Sequence, residues 1–367
     1  MTDRRVSVRW WRGALQACAL IAVSTGLSLA AAEAVTRLVY RHVTTTDDNY
    51  SYFARRWRDA HTGELDSDGF RTQPYAEFPA PGVTRIAVIG DSFTFGSGIE
   101  AADRLTNRIE AHLNARGKRR FEVLNFGKTG QETEDEIETM RTVLARAHPD
   151  VVLIQWFVND VESRPKQRPR AWPLLPSARV DYFLKARSAL YFLLNRSWVQ
   201  IQIRGGWVQS YEDYMRERFT DPSAAASIDA KRKFEALMTL PRAARVGVGA
   251  FFYPQLEAVG GDLGHFPNEF LLERMLATCR GLGVHCVDLR GPLTALQPQE
   301  RWVNQFDHHP GTESNRVAAA AVLAEFEQEW LAIAAARGTL GPVTSTSSPV
   351  GVPESRRARG AMTTPER

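Results

Sequence analysis

The chain contains four short segments whose residue types could together carry out acyl transfer from a serine. Such chemistry needs a nucleophilic hydroxyl, a base that accepts its proton, and hydrogen-bond donors aimed at the oxyanion that forms on the attacked carbonyl. A carboxylate beside the base also holds the imidazole in the required tautomer. The residues that could supply these groups are, in chain order, Ser92, Gly130, Asn159, Asp307 and His309.

Each of these residues fits one role in that reaction. Ser92 would attack, His309 would take its proton and return it to the leaving alcohol, and Asp307 would hold the imidazole. The backbone N–H groups of Ser92 and Gly130 and the side-chain amide of Asn159 would bind the oxyanion. Each residue also has a simpler explanation, since Ser92 could be a helix N-cap and Asn159 a turn residue. His309 could be a surface residue before a helix, and Asp307 its charge partner. Together these residues indicate a catalytic site, because the simpler explanations require four coincidences.

The order of apolar and polar segments predicts how these residues come together. Five apolar runs are typical of buried strands, at 85–89, 121–124, 151–157, 246–253 and 284–289. They alternate with amphipathic stretches of helical length, at 103–116, 132–147, 268–281 and 312–336. This alternation predicts an α/β fold, a three-layer sandwich with a five-stranded parallel sheet. The candidate residues follow the predicted strands, and such sheets bind ligands at the carboxyl ends of their strands.

The remaining stretches predict the domain organisation. Residues 41–82 are polar and rich in turn formers, which predicts a linker before a main domain over 83–338. Residues 162–240 are too long for a usual connection and predict a helical insertion that caps the site, although a plain packing subdomain explains them equally well. Their aromatic residues could stack on a sugar, contact an acyl chain or form core. Residues 339–367 are rich in Gly, Pro, Ser and Thr, which predicts a disordered tail.

The N-terminus, residues 1–40, is expected to be a membrane anchor with a short cytoplasmic tail. Arginines among the first 12 residues precede an uncharged, mostly apolar run at 13–32. About 20 helical residues cover the roughly 30 Å hydrocarbon core of a bilayer, and basic residues favour its cytoplasmic side. The main domain would then lie outside the cytoplasmic membrane, in the periplasm or beyond it. A signal peptide cleaved near Ala32 and a buried soluble helix are the alternatives.

Charge and motif spacing exclude several other functions. The net charge of +4 arises at the two ends, with +3 in residues 1–12 and +2 in 339–367, so the body carries −1. We therefore expect no nucleic-acid binding. Near-matches to a dinucleotide fingerprint at Gly96 and to a P-loop at Gly127 lack the required spacing or glycine. No cluster has the spacing of metal ligands, so we expect neither a metal nor a cofactor.

Cysteine usage leaves one question open. Cys279 and Cys286 flank a predicted helix-to-strand turn and could pair in an oxidising compartment, or they could remain buried free thiols. Cys18 lies inside the apolar N-terminal run, where a thiol acts as a small hydrophobic side chain. The sequence thus allows a disulfide but does not require one.

Five sequence blocks between about residues 66 and 336 resemble the SGNH/GDSL hydrolase family, which is named for a Ser, Gly, Asn and His in four ordered blocks. The blocks are DGFR at 68–71, GDSFTFG at 90–96, NFGKTG at 125–130, ND at 159–160 and DHHPG at 307–311. The chain is similar in particular to bacterial members with one N-terminal membrane helix. This resemblance implies a carboxylic ester hydrolase whose parallel sheet is of the flavodoxin-like kind.

Two positions depart from the family pattern. Many members have glycine where this chain has Phe157, and the larger side chain could narrow the oxyanion pocket. Many members also place the last acid three residues before the base, whereas Asp307 lies two residues before His309. This spacing leaves open which acid orients the base, and it keeps His308 as an alternative base.

These observations predict a serine esterase that removes an acyl or acetyl group from an acylated carbohydrate or lipid near the membrane. An O-acyltransferase of glycan modification could use the same Ser92 and His309 and pass the acyl group to a glycan hydroxyl. A third hypothesis is a tethered, non-catalytic glycan-binding module. The natural substrate and the oligomeric state stay open because a fold does not dictate what it binds.

Overall fold

The computed structural model describes residues 3–115, 120–163, 169–257 and 265–339, and its central element is a parallel sheet. Five strands form the sheet in the order β2-β1-β3-β4-β5, and every neighbouring pair is parallel. The strands are β1 (Val83–Gly90), β2 (Arg120–Gly127), β3 (Val151–Trp156), β4 (Gly247–Phe252) and β5 (His285–Asp288). This topology confirms the predicted five-stranded parallel α/β sheet.

Helices cover both faces of the sheet and make the predicted three-layer sandwich. They are α1 (Asp3–Val39), α2 (Tyr52–Ala60), α3 (Ser92–Phe95), α4 (Leu105–Ala115), α5 (Thr133–Arg146), α6 (Ala178–Lys185), α7 (Ala189–Arg204), α8 (Tyr211–Phe219), α9 (Ala225–Ala243), α10 (Glu269–Gly281), α11 (Arg290–Thr294), α12 (Pro298–Arg301) and α13 (Thr312–Thr339). Buried side chains of α5, α9 and α10 share one core with the sheet, while those of α4 and α13 share a second core.

Alternation along β1 explains why both faces need cover. Ile86 and Val88 point into the core with α4 and α13, whereas Ala87 and Ile89 point into the core with α5, α9 and α10. All four side chains are fully buried. A strand that is apolar on both faces is stable only between two layers of helices, which is the arrangement that parallel sheets require.

A separate antiparallel hairpin carries the last candidate segment. Its strands are β6 (Trp302–Asn304) and β7 (Asp307–Pro310). This hairpin was not predicted from the sequence, because the DHHP stretch of β7 lacks the alternation of apolar residues on which a strand prediction depends. The hairpin ends at Gly311, where a Cβ would overlap the main chain of Trp302, and α13 begins directly afterwards.

The long insertion is helical in the part that the structure describes, as the sequence predicted. Its helix α8 packs Met215 and Phe219 into the core beside α9, whereas α7 buries Phe192 in a small cluster with Phe53 of α2. Trp172 and Trp207 remain 58% and 55% exposed. The insertion therefore packs partly onto the chain that follows α1, and these two tryptophans are not core residues.

The N-terminal helix α1 contains a stretch, Gly13–Val39, that is long and apolar enough to cross a membrane and is almost wholly exposed. A signal sequence has the same properties. The far end of α1 joins the folded domain, because Glu33 accepts hydrogen bonds from the Ser188 hydroxyl and from the N–H groups of Ala189 and Leu190. A carboxylate is favourable there, since the N-terminus of α7 carries partial positive charge.

The structure also describes the predicted linker and the two cysteines of the main domain. The stretch at 41–82 contains α2, which buries Phe53 and Trp57 against the domain. Cys279 and Cys286 form a disulfide between the end of α10 and β5, which answers the question that the sequence left open. The predicted disordered tail lies, from residue 340 onward, outside the described residues.

Candidate active site

Ser92 lies at the turn from β1 into α3, where it is the first helical residue. The N-cap of α3 is Asp91, whose carboxylate accepts a hydrogen bond of 2.8 Å from the N–H of Phe93. Gly90 ends β1 at a point where a Cβ would overlap the side chain of Gln155. The GDS block therefore makes a tight strand-to-helix turn at the carboxyl end of the sheet, where ligands of such folds bind.

Gln155 is a positioning residue that the sequence analysis missed. It is fully buried in β3, and its Oε1 accepts hydrogen bonds from the N–H of Asp91 at 3.1 Å and from the hydroxyl of Thr94 at 3.0 Å. One amide thus holds the chain on both sides of Ser92. The available signal was a lone polar residue inside the apolar run at 151–157, since a buried polar side chain must find partners.

Arg71 of the DGFR block braces the loop that follows α3. Its buried guanidinium donates hydrogen bonds to the carbonyls of Gly96 at 2.7 Å and Ile99 at 2.9 Å, and it pairs with Glu64 at 2.6 Å. Gly96 is the C-cap of α3 in the left-handed conformation, with φ of +75°, which glycine adopts without steric cost. The first sequence block therefore acts structurally, by fixing the loop that follows Ser92.

His309 meets Ser92 across the cleft. Its Nε2 lies 2.8 Å from the Ser92 hydroxyl, and its Nδ1 makes a short hydrogen bond to Oδ1 of Asp307. The same carboxylate oxygen accepts the backbone N–H of His309 at 3.0 Å, and the Asp307 side chain is fully buried. Asp307 therefore reaches the His309 ring even though the two residues are only two positions apart in the sequence. The structure joins Ser92, His309 and Asp307 in one chain of hydrogen bonds.

His308, the alternative base, points away from Ser92. Its Nδ1 lies 3.0 Å from the carboxylate of Asp47 and 3.4 Å from that of Glu257. Successive side chains of a strand point to opposite sides, so only one of the two histidines of β7 can face Ser92. The hydrogen-bond geometry therefore favours His309 as the base.

Gly130 and Asn159 lie on either side of Ser92 because β2 and β3 flank β1. Gly130 has φ of +75°, a conformation that glycine adopts without steric cost. Asn159 lies in a 3₁₀ turn, Val158–Val161, and its side-chain amide is 3.4 Å from the carbonyl of Gln131. The predicted oxyanion donors thus share one edge of the sheet with Ser92, and their contact with a substrate stays a prediction.

Asp160 fixes the turn that carries Asn159. Its carboxylate accepts the N–H of Phe157 at 2.7 Å, and its carbonyl accepts the hydroxyl of Thr133 at 2.9 Å. Burial raises the pKa of Asp160 well above its usual range, and the same is true of the pKa of Glu136. Their burial therefore favours the neutral forms of these two carboxyl groups.

Phe157, which stands where many family members have glycine, belongs to a cluster of aromatic rings beside Ser92. Its ring centroid lies 4.1 Å from that of Phe93, and the Phe93 ring lies 5.5 Å from the His309 imidazole in an edge-on arrangement. The side chain of Phe157 is therefore packed against its neighbours in the site. The effect of Phe157 on the oxyanion pocket stays a prediction.

The charges around His309 favour its protonated form. Burial lowers the pKa of His309, but the carboxylates of Asp307, Asp47 and Asp91 raise it by more, and the resulting pKa is about 9. Three carboxylates from three separate segments thus face one imidazole. Such an environment stabilises the imidazolium that forms when the ring accepts a proton from serine.

Acidic and histidine side chains come close enough to share a metal ion at two places in the described chain. One group is Asp47, Asp307 and His309, and the other is His61, Glu64 and Glu100. In the first, both ring nitrogens of His309 are already hydrogen-bonded, which leaves the imidazole no lone pair for a metal. In the second, the carboxylate of Glu64 is paired with a buried arginine. The geometry therefore assigns neither group to a metal.

Comparison with solved structures finds similar proteins at low sequence identity. A mutant of Axe2, an acetyl-xylooligosaccharide esterase from Geobacillus Stearmophilus, is 15% identical over 67% of this chain and 95% of its own, with a TM-score of 0.44. A lipase/acylhydrolase from Enterococcus faecalis is 15% identical over 67% of this chain and 96% of its own, with a TM-score of 0.41. LAE5, an alpha/beta hydrolase enzyme from the metagenome of Lake Arreo in Spain, is 17% identical over 66% of this chain and 95% of its own, with a TM-score of 0.41.

A comparison with curated proteins found no match. The family assignment rests instead on a sequence match of residues 88–317 to the model of the GDSL-like lipase/acylhydrolase family. This match covers well over half of the chain and includes every candidate catalytic residue. It agrees with the resemblance inferred from the sequence blocks. The chain therefore belongs to the GDSL-like lipase/acylhydrolase family, and it is an ester hydrolase of the SGNH type.

Proposed function

We propose that the chain is a serine esterase that removes a short acyl group, such as acetyl, from an acylated carbohydrate or lipid. The observation that supports this proposal most strongly is the hydrogen-bond chain from Ser92 through His309 to Asp307. A serine hydroxyl is a weak nucleophile until an adjacent base takes its proton, and a third group must orient that base. All three groups are at hydrogen-bonding distance in the structure.

The reaction then follows from the positions of these groups. The Ser92 oxygen forms a bond to the ester carbon while His309 accepts the serine proton, and Asp307 stabilises the imidazolium. The tetrahedral intermediate collapses as His309 gives that proton to the leaving alcohol. Water then attacks the acyl-serine with His309 as the base again, which releases the carboxylic acid and restores Ser92. The N–H groups of Ser92 and Gly130 and the amide of Asn159 hold the oxyanion in both steps.

We place this reaction outside the cytoplasmic membrane. The exposed apolar helix α1 is long enough to span a bilayer, and the arginines before it favour a cytoplasmic N-terminus. The disulfide between Cys279 and Cys286 agrees with an oxidising compartment. Labelling of an introduced cysteine at exposed Ser223 by a membrane-impermeant maleimide in intact cells tests this orientation, because a domain that faces the cytoplasm would stay unlabelled.

The rate of ester hydrolysis should rise with pH through the pKa of His309. Only the neutral imidazole accepts the serine proton, so activity is present above this pKa and is lost as the pH falls through it. Because the surrounding carboxylates raise this pKa from 6.5 to about 9, the acid limb of kcat/KM should have its midpoint above pH 6.5. A profile measured from about pH 5 to about pH 10 checks this, and a midpoint at or below 6.5 would contradict it.

Product analysis tests the proposed activity itself. The purified chain is incubated with p-nitrophenyl acetate, with and without an unacetylated glycan, and free acetate and acetylated glycan are both measured. An esterase releases acetate to water in both mixtures. Acetyl transfer to the glycan with little free acetate would replace the proposal by an acyltransferase, and no turnover in either mixture would leave the glycan-binding module.

A further inference from the structure

The chain that follows α1 lies directly on the catalytic hairpin. The Tyr40 ring contacts the Phe306 ring with centroids 5.4 Å apart, and the Asn304 side chain donates a 3.0 Å hydrogen bond to the carbonyl of Thr45. The N–H of Asp47 donates a 3.0 Å hydrogen bond to the carbonyl of Phe306. These contacts involve the last residue of β6 and the turn between β6 and β7, immediately before Asp307. Residues 40–47, which we name the juxtamembrane segment, are therefore attached to the hairpin that carries the base.

The carboxylate of Asp47 binds this hairpin a second time. One oxygen accepts the backbone N–H of His308 at 2.8 Å, and the other lies 3.0 Å from Nδ1 of the same residue. Ligand atoms of Asp47, Asp307 and His309 all lie within 4.8 Å of one another. A negative charge from outside the hairpin thus reaches the immediate surroundings of the catalytic imidazole.

Charged groups from several elements face this cluster. His309 is faced by Asp307 of the same strand, by Asp91 after β1 and by Asp47. Asp47 is faced in turn by His308 and by Arg196 of α7, whose guanidinium lies 3.9 Å away. Glu257, after β4, lies 3.4 Å from His308. Among the carboxylates that act on His309, Asp47 is the one that the juxtamembrane segment supplies.

We propose that Asp47 is a positioning residue for ester hydrolysis, which holds the hairpin through His308 and stabilises the imidazolium form of His309 through its charge. The inference rests on the proposed role of His309 as the base. It makes the juxtamembrane segment part of the active site, although this segment precedes the sheet and lies outside the residues that match the family. Residues 40–47 then connect the N-terminal helix α1 directly to the hairpin that carries His309.

The physical consequence is a shift in the acid limb of activity. An anion near an imidazole stabilises its protonated form, so Asp47 raises the pKa of His309. Removing this charge should lower that pKa and move the acid limb to lower pH. It should also lower the rate at high pH, because the transition state contains an imidazolium that has lost one of its counter-charges.

The test compares Asp47→Asn with Asp48→Asn in the full chain. Asp48 is the matched control, because it is the next residue and its carboxylate pairs with Lys185 at 2.9 Å instead of facing the hairpin. For D47N we expect the midpoint of the acid limb of kcat/KM to fall by about one pH unit, with a several-fold lower kcat at high pH and a nearly unchanged KM. For D48N we expect the wild-type profile.

Two further variants separate charge from shape. Asp47→Glu keeps the charge and should keep the midpoint near the wild-type value, while Asp47→Ser removes the charge and replaces D47N if that variant does not fold. An unchanged midpoint in D47N, or an equal shift in D48N or D47E, would overturn the proposal.

A spectroscopic titration keeps this inference separate from the proposed activity. The His309 ring is followed by NMR in the chain with isotope-labelled histidine, for the wild type and D47N. This measurement needs no substrate, so it tests the role of Asp47 whether or not the protein hydrolyses esters. A His309 pKa that falls in D47N supports the role of Asp47, and an equal pKa in both proteins contradicts it.

Discussion

Replacing Ser92 by alanine should lower kcat for p-nitrophenyl acetate by about 10⁴-fold or more. The variant lacks the oxygen that forms the acyl-enzyme, and His309 Nε2 loses the hydroxyl that lies 2.8 Å away. Binding should change little, because the hydroxyl contributes mainly to the transition state. The fold should also persist, since the loss of one such hydrogen bond costs about 1 kcal/mol. Steady-state kinetics together with a thermal unfolding curve measure both effects.

Ser97→Ala is the matched control for this experiment. Ser97 is also buried, and it lies in the same loop after α3, but the chain of hydrogen bonds does not include its hydroxyl. The S97A variant should therefore keep most of its activity. If S92A retained wild-type turnover, Ser92 would not be the nucleophile, and if S97A lost as much activity as S92A, the loss would reflect damage to the loop.

Replacing Asp307 by asparagine should lower kcat by about 10² to 10⁴-fold with little change in KM. The buried carboxylate accepts hydrogen bonds from Nδ1 and from the backbone N–H of His309. An amide in its place offers no charge to stabilise the imidazolium, and it can turn its NH₂ toward the ring and hold the wrong tautomer. The loss should therefore appear in the rate of the chemical step.

Asp288→Asn controls for the loss of a carboxylate near the sheet. Asp288 ends β5 and pairs with Arg290 at 2.8 Å, away from the chain of hydrogen bonds at Ser92. The D288N variant should keep the wild-type kcat at the optimum. Full activity in D307N would show that another acid orients His309, in which case the assignment of Asp307 is wrong.

The sheet was predictable because its strands follow a simple physical rule. A strand buried between two helical layers must be apolar on both faces, so runs such as 151–157 stand out from the amphipathic helices around them. The ends of the strands then indicated the place of the site. Ser92, Gly130 and Asn159 follow β1, β2 and β3, which are neighbours in the sheet.

The hairpin and the contacts of residues 40–47 were not predictable by the same rule. The hairpin is polar and short, and it is held by specific contacts such as that between Asn304 and the carbonyl of Thr45. These residues are far apart in the chain, and no periodic pattern records their pairing. Asp47 lies in a stretch whose composition is that of a linker, so only the folded arrangement brings it to His308 and His309.

The role of Gln155 was predictable only in part. A glutamine inside an apolar strand indicates that some buried group needs a partner, but the sequence does not say which one. The structure shows that the partners are Asp91 and Thr94, on either side of Ser92. Side-chain hydrogen bonds of this kind depend on the register between strands, which the order of residues alone does not determine.

Covalent labelling tests the roles of Ser92 and His309 in one experiment. The full chain is treated with a fluorophosphonate probe, which reacts with a serine that an adjacent base activates, and the labelled residue is located by peptide mass spectrometry. We expect one adduct, on Ser92, which is absent from S92A and forms much more slowly in His309→Ala. A folded chain that forms no adduct, or that carries it on another residue with the same rate in both variants, would contradict the assignment of Ser92 and His309.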